Sequence, residues 1–395
     1  MKTIIYNAHV VMVDKIIDGG YLAFENGVIS DLGEGIPKLD GEVIDAKGLY
    51  LSAGFIDIHC HGGADCDFSD GSVEAYLIPA EFHVVHGTTA LVPTVTTSQT
   101  EDIINSLECF FRANSSEHDG ARLLGIHMEG PYISKAQAGA QDARYIREPQ
   151  EEDYEYIFKK ANGSIIRWTF APEVRGSDKF SDYLKNKGII PSIGHSDALY
   201  EDVKRFYDKG TRLLTHFYSS MSSITRIDGY RRTGVVESGY LLDDMNVEVI
   251  ADGHHLPPEL LEMIYKFKGS DRIALVTDAM RGAGMPDGKT VLGKREGGLN
   301  CIIEGGVAKL PDRSAFAGSV CTANNLVKTM YKTVGVPLDE AVKMITYTPA
   351  RIMGLDSKMG SLKKGFCADL VLFDDDINIH RTIISGKTVF QRSEL

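Results

Sequence analysis

Six cysteines are spread over the 395 residues, at 60, 66, 109, 301, 321 and 367, with no CxxC pair and no regular spacing. That scarcity excludes a disulfide-stapled chain and sets the expectation of a reducing, cytoplasmic protein. No uninterrupted apolar run approaches the roughly 18 residues of a spanning helix. The opening segment MKTIIYNAHVVMVD alternates apolar and polar residues and lacks a long apolar core and a small-residue cleavage site, so a soluble, unexported chain is expected. Positive charge is also short: 42 Lys and Arg stand against 55 Asp and Glu, a net charge of −13. A broad nucleic-acid or anionic-membrane face is thereby disfavoured, while a local basic pocket for a small anion is not. What is present, 43% hydrophobic and 25% charged residues, is the composition of a globular protein of two or three domains.

Both ends of the chain are β-rich. TIIYNAHVVMV, GYLAFENGVISDLG with its Asn26-Gly27 hairpin signal, and EVIDAKGLYLSAG occupy the start; GSLKKGFCADLVLFDDD and HRTIISGKTVFQ occupy the end. Neither end buries a sheet face alone, so residues 1–50 and 356–395 are expected to combine into one small β-sandwich domain. Between them compact apolar runs alternate with helix-length segments. The runs are 55–60, 89–95, 122–128, 164–170, 189–194, 211–216, 247–251 and 272–278. Eight β/α steps predict an α/β fold with a closed, TIM-like (β/α)8 barrel over 51–355. Extra β structure is expected at 298–311, before a return to helix at 322–334.

The strongest local signal is His59-Cys60-His61 at the end of the first barrel strand. Residues i and i+2 of a strand share a side, so both imidazoles face one point, while Cys60 faces the other way and packs. Glu129, His195, His216 and Asp278 fall at the ends of strands three, five, six and eight, on the rim where such barrels place catalytic groups. Imidazole with carboxylate suits Zn or Fe, one or two ions, better than Mg or Ca. His127, on the same side as Glu129, is expected to orient that carboxylate or pack under the ion; Asp57 is expected below the ligands, and His254 to be structural.

These segments, with HMEGP (127–131) and IADGHH (250–255), resemble the amidohydrolase superfamily and, within it, the N-acetylglucosamine-6-phosphate deacetylase family over nearly the whole chain. The resemblance implies a metal-dependent amide hydrolase of amino-sugar catabolism. Its metal ligands would be Glu129, His195 and His216, with His59 and His61 for a second ion, and its catalytic carboxylate Asp278. It also implies substrate contacts at Gln141, Ser219, Ser220, Arg231 and His255, with Arg226 and Arg232 as auxiliaries to a phosphate, and a homodimer whose loop arginines serve the neighbouring site. The strand-four lysine used elsewhere in the superfamily has no counterpart in SIIRWTFAPE. Ser219 departs from the family's HxxNAM, where Asn holds the phosphate, and Arg231 stands in an enlarged loop.

The chemistry expected is attack of an activated water on an acetamide, with Asp278 taking the water's proton and returning one to the leaving amine. The alternatives are a deacetylase of the galactosamine 6-phosphate epimer or of an unphosphorylated sugar, a cyclic amidase or deaminase, and a silent metal-binding scaffold. Retention of Asp278 argues against the last, since a structural metal site needs no base.

Overall fold

The structure, a computed structural model, describes residues 2–393. Eight parallel strands form its centre: β1 (Phe55–Cys60), β2 (Thr88–Val95), β3 (Arg122–Leu123 continuing as Ile126–Glu129), β4 (Ile165–Phe170), β5 (Ile190–Ile193), β6 (Leu213–Leu214), β7 (Asn246–Val249) and β8 (Ile273–Leu275). Every residue of β1 and β2 is buried, as expected of a parallel sheet covered on both faces, and this is why the segments read as unbroken apolar runs. Each strand pairs with the next in chain order. The ring closes where Asp278 N–H donates to His59 O (2.9 Å) and His61 N–H to Ala279 O (2.8 Å). The bonds that close the barrel therefore run through candidate site residues.

The crossover helices follow from their sequences. Helix α1 (Glu74–Val84) and α2 (Thr100–Asn114) follow β1 and β2; α2 buries Ile103, Leu107, Phe110 and Ala113 on one stripe. Helix α3 (Glu151–Ala161) begins with Glu151, Glu152 and Asp153, ends with Lys159 and Lys160, and stops at Asn162 in the left-handed region (φ 44°), so its charges oppose the helix dipole at both ends. Helices α4 (Ser177–Asn186), α5 (Tyr200–Asp208), α6 (Val235–Leu241) and α7 (Pro258–Lys268) complete the series up to β8. The helix expected over 322–334 is instead α8 (Ala323–Lys328) followed by a wider π-helical turn, Thr329–Val334. Thr329 Oγ1 bonds back to Asn325 O (3.0 Å), a competition with the backbone that loosens a helix.

The terminal strands form one hydrogen-bonded sheet of eight, five from the start of the chain and three from its end. Lys2–Val11 pairs with Glu42–Asp45 along its first half and with Tyr50–Ala53 near its end, and Tyr50–Ala53 in turn pairs with Leu370–Phe373. The two branches share an apolar cluster that includes Leu22, Phe24, Leu51, Leu370, Leu372 and Ile383. The boundary expected at residue 50 falls inside Tyr50–Ala53, and the barrel begins at Phe55.

Two insertions stand at the rim. The extra β structure is a three-stranded sheet, Gly288–Leu292, Leu299–Glu304 and Val307–Lys309, beginning earlier than the expected 298. The enlarged loop after β6 is a two-stranded hairpin, Thr225–Ile227 with Tyr230–Arg232. Asp228-Gly229 turns it with φ of 50° and 85°, the pairing of residues a tight hairpin requires. Among the described residues no helix is long and apolar enough to cross a membrane.

Candidate active site

His59 lies at the end of β1 and His61 just past it, Glu129 ends β3, and His195, His216 and Asp278 lie just past β5, β6 and β8. All six are buried, Asp278 being the most exposed at 6%. His195, His216 and Asp278 have φ of 47°, 31° and 48°, a left-handed conformation that costs a residue with a Cβ about 1–3 kcal/mol. Main-chain bonds hold each of them: Ser134 N–H to His195 O (2.9 Å), Phe217 N–H to Glu248 O (2.8 Å) beside His216, and Ser319 N–H to Asp278 O (2.8 Å). Before His195, a Cβ on Gly194 would stand 2.7 Å from Thr215 Cβ and 2.9 Å from Thr169 Cγ2. Only glycine lets β4, β5 and β6 close up under that histidine.

The side chains converge on Glu129. Its Oε1 lies 3.1 Å from His195 Nε2 and 2.8 Å from His216 Nε2; its Oε2 lies 3.2 Å from His61 Nε2. Asp278 Oδ1 is 3.1 Å from His61 Nε2 and 3.4 Å from His59 Nε2. Two overlapping triads result, His59–His61–Glu129 and Glu129–His195–His216, with the carboxylate common to both.

The other nitrogen of each imidazole identifies what belongs between them. Nδ1 of His59 faces Glu248 Oε2 (3.1 Å), that of His61 faces Thr94 O (3.3 Å), that of His195 faces Gln137 O (2.9 Å) and that of His216 faces Ser219 O (3.1 Å). Each acceptor assigns the proton to Nδ1 and leaves a lone pair on Nε2. Yet Nε2 of His195 is 3.1 Å from Nε2 of His216, and those of His59 and His61 are 3.3 Å apart. Facing lone pairs at such distances repel unless positive charge lies between them. Ligand atoms about 2.0–2.1 Å from a tetrahedral ion are roughly 3.3 Å apart, so the residues fit a divalent metal ion on each side of Glu129.

The electrostatics agree. Burial works against a charged His59, but Glu129, Asp278 and Glu248 outweigh it and raise its pKa to about 9. His61, also opposed by burial, is raised well above the usual value by its bonds to Asp278 and Glu129. Burial would lift Glu129 and Asp278, but the histidines hold both below the ordinary carboxylate range. The carboxylates demand positive charge at this point, from protons or from metal.

Above the triads opens a cavity of about 190 Å³ whose lining includes Ser219, Ser220, His255, Phe316 and Gln141. Gln141 is also tied to the centre: its Nε2 donates to Glu129 Oε2 (2.6 Å) and its Oε1 accepts Thr97 N–H (2.8 Å). His255 is braced by Asp252 (Nδ1 to Oδ2, 2.7 Å) and by the Phe316 ring. His254 is exposed. Cys60 points away, its Sγ against His83 and Gly62. His127 lies under His59, ring centroids 4.6 Å apart, and bonds Thr169 and Thr94; it packs beneath the centre without bonding Glu129. Asp57 sits lower, bonded to Thr277 and to His59 N–H (3.2 Å). Arg226, Arg231 and Arg232 stand on the exposed hairpin and do not line the cavity of their own chain.

Sequence reasoning missed Glu248 and Arg167, a fully buried ion pair below the triads. The available signal was a charge at an inward position of an otherwise apolar strand, in SIIRWTF and VEVIA. It also missed Asp252 and Phe316, whose positions depend on segments meeting at the rim.

The Amidohydrolase family matches residues 50–389. An N-acetylglucosamine-6-phosphate deacetylase of Vibrio furnissii is 33% identical over 93% of this chain and 89% of its own. An N-acetylgalactosamine-6-phosphate deacetylase of Escherichia coli is 29% identical over 94% of this chain and 95% of its own. The crystal structure of the N-acetylglucosamine-6-phosphate deacetylase of Pasteurella multocida superposes with a TM-score of 0.90, at 29% identity, covering 99% of this chain and all of the other.

Proposed function

The chain belongs to the amidohydrolase family and, within it, to the N-acetylglucosamine-6-phosphate deacetylases, and from that premise we propose that it hydrolyses the acetamide of N-acetylglucosamine 6-phosphate at the Glu129 centre. The observation that carries this reading is the set of four imidazole lone pairs converging on a shared carboxylate, with a second carboxylate, Asp278, at the cavity floor. His59, His61, Glu129, His195 and His216 would hold two ions. Zn or Fe suits the nitrogen and oxygen donors. Such an ion, when bound, polarises the amide carbonyl and lowers the pKa of water.

The rest is the work of the chain. Asp278, ionised because the neighbouring histidines hold its pKa low, takes the proton of the attacking water and delivers one to the amine nitrogen as the C–N bond breaks. His255, fixed by Asp252 with Nε2 left for the cavity, orients the sugar or the acetamide oxygen. Ser219 and Ser220 offer hydroxyls to the sugar or its phosphate. Arg226, Arg231 and Arg232, remote from the cavity of their own chain, would reach the phosphate of a second copy in a homodimer. Guanidinium is the side chain that best matches phosphate.

Side-by-side acetate release from N-acetylglucosamine 6-phosphate, its galactosamine epimer and both unphosphorylated sugars tests the reading. Preference for the first is expected; equal turnover without the phosphate would remove it from the argument. A second reading, the galactosamine 6-phosphate epimer, is favoured by Ser219 in place of the family's Asn and by the relative from Escherichia coli; it predicts that the epimer is the better substrate.

A further inference from the structure

Glu248 and Arg167 lie on the inside of β7 and β4, below the triads, with no exposure to solvent. Burying two charges is costly and stabilises little by itself, since apolar side chains of similar volume often serve as well. The bonds of the pair point to another use. Glu248 Oε1 is taken by Arg167, which also bonds Ile58 O (3.1 Å), Ser192 Oγ (3.1 Å) and Thr215 Oγ1 (2.9 Å). That leaves Oε2, which accepts both the Nδ1–H of His59 and the backbone N–H of His216, each at 3.1 Å. His59 belongs to one triad and His216 to the other. The main-chain carbonyl of Glu248 accepts Phe217 N–H as well (2.8 Å), so this one residue grips the turn in which His216 adopts its left-handed conformation.

We propose that Glu248, charge-compensated by Arg167, is a positioning residue for both metal sites at once: it fixes the His59 tautomer that aims Nε2 at the first ion and holds the strained His216 turn that serves the second. The inference rests on the two-ion reading of the Glu129 centre. Glu248 belongs to neither triad and does not line the cavity, so it acts through its two histidines. Arg167 compensates the carboxylate from Oε1, the oxygen that the two histidines do not use.

The test compares the wild type with Glu248→Gln, Glu248→Met and the double variant Glu248→Met with Arg167→Met, each stripped with a chelator and reloaded with Zn2+. Stoichiometry and competition against a chromophoric chelator are read alongside thermal unfolding of the stripped proteins. Wild type is expected to bind two ions, and both single variants to bind zinc about 10–100-fold more weakly, the range for lost support behind a ligand. The double variant should recover thermal stability relative to Glu248→Met while its zinc affinity stays weak. Recovery of both together would reduce the pair to a packing element, and wild-type affinity in every variant would overturn the proposal. A wild type that binds no zinc would instead overturn the reading of the centre itself.

Discussion

The barrel rim and the terminal sheet are built on opposite terms. At the rim the buried residues are His59, His61, Glu129, His195, His216 and Asp278, three of them in left-handed backbone conformations. In the terminal sheet the buried residues are Leu22, Phe24, Leu51, Leu370 and Leu372, and charges such as the Lys364–Asp31 pair stay on the surface. Hydrophobic burial stabilises the second region outright. The first gathers polar groups that need added positive charge, from protons or a bound cation, to lie so close together, at the expense of stability. Function sits in the region that the fold must support, and stability in the region that supports it.

The comparison can be broken most forcefully at the ions. Chelation is expected to take acetate release to background, and Zn2+ or Fe2+ to restore it, while the far-ultraviolet circular dichroism is unchanged; retained turnover in metal-free protein would contradict the centre. Asp278→Asn is next: kcat should fall roughly 10²–10⁴-fold, the usual share of a general acid–base group, with zinc content measured by elemental analysis still at the wild-type level.

In the terminal sheet the effect should switch from turnover to stability. Leu370 is fully buried in the apolar cluster, so Leu370→Ala should cost about 2–5 kcal/mol in denaturant unfolding, leaving kcat/KM of the folded protein unaltered. A kinetic defect without loss of stability would show that the two regions are coupled.

His83 sharpens the contrast within the barrel. Burial pushes its pKa down to about 4 against an ordinary 6.5, despite its bond to Gly62 O. An unfolded chain therefore takes up a proton that the folded chain refuses. The contribution of this group is fully present above about pH 6.5 and is lost as pH falls through 4, about 3 kcal/mol in all. Unfolding free energies of wild type and His83→Gln across pH 4–7 should show the wild type losing that much more on acidification. Smallest of all, Lys364→Ala on the sheet surface should leave the unfolding midpoint unchanged, as exposed ion pairs generally do.

The repeating apolar runs made the barrel legible because parallel strands covered on both faces leave an unbroken hydrophobic record. The triads were legible because a two-residue step in His59-Cys60-His61 and strand-end polar residues project to one rim. The hairpin at 225–232 was read only as a longer loop, although Asp228-Gly229 carried its turn. The π-helical turn after Lys328 left no mark that helical periodicity could register. Glu248 and Arg167 escaped notice because a lone charge in a strand has no meaning until its partner on another strand is known. The residues proposed to contact the phosphate divide in the same way, Ser219 and Ser220 lining the cavity and the arginines standing apart from it.

By itself, then, the sequence determined the barrel, that β structure from the two termini comes together, and which histidines and carboxylates stand at the strand ends, because alternation and strand register are local rules that chain order preserves; that the terminal strands form one sheet was for the structure to show. Tertiary structure alone decided that Glu129 sits between two triads, that Gln141 binds that carboxylate, that one oxygen of Glu248 serves both His59 and His216, and that the hairpin arginines lie away from their own cavity. These depend on distances of about 3 Å between residues that the chain keeps far apart, and hydrogen bonds and metal sites are set at that scale.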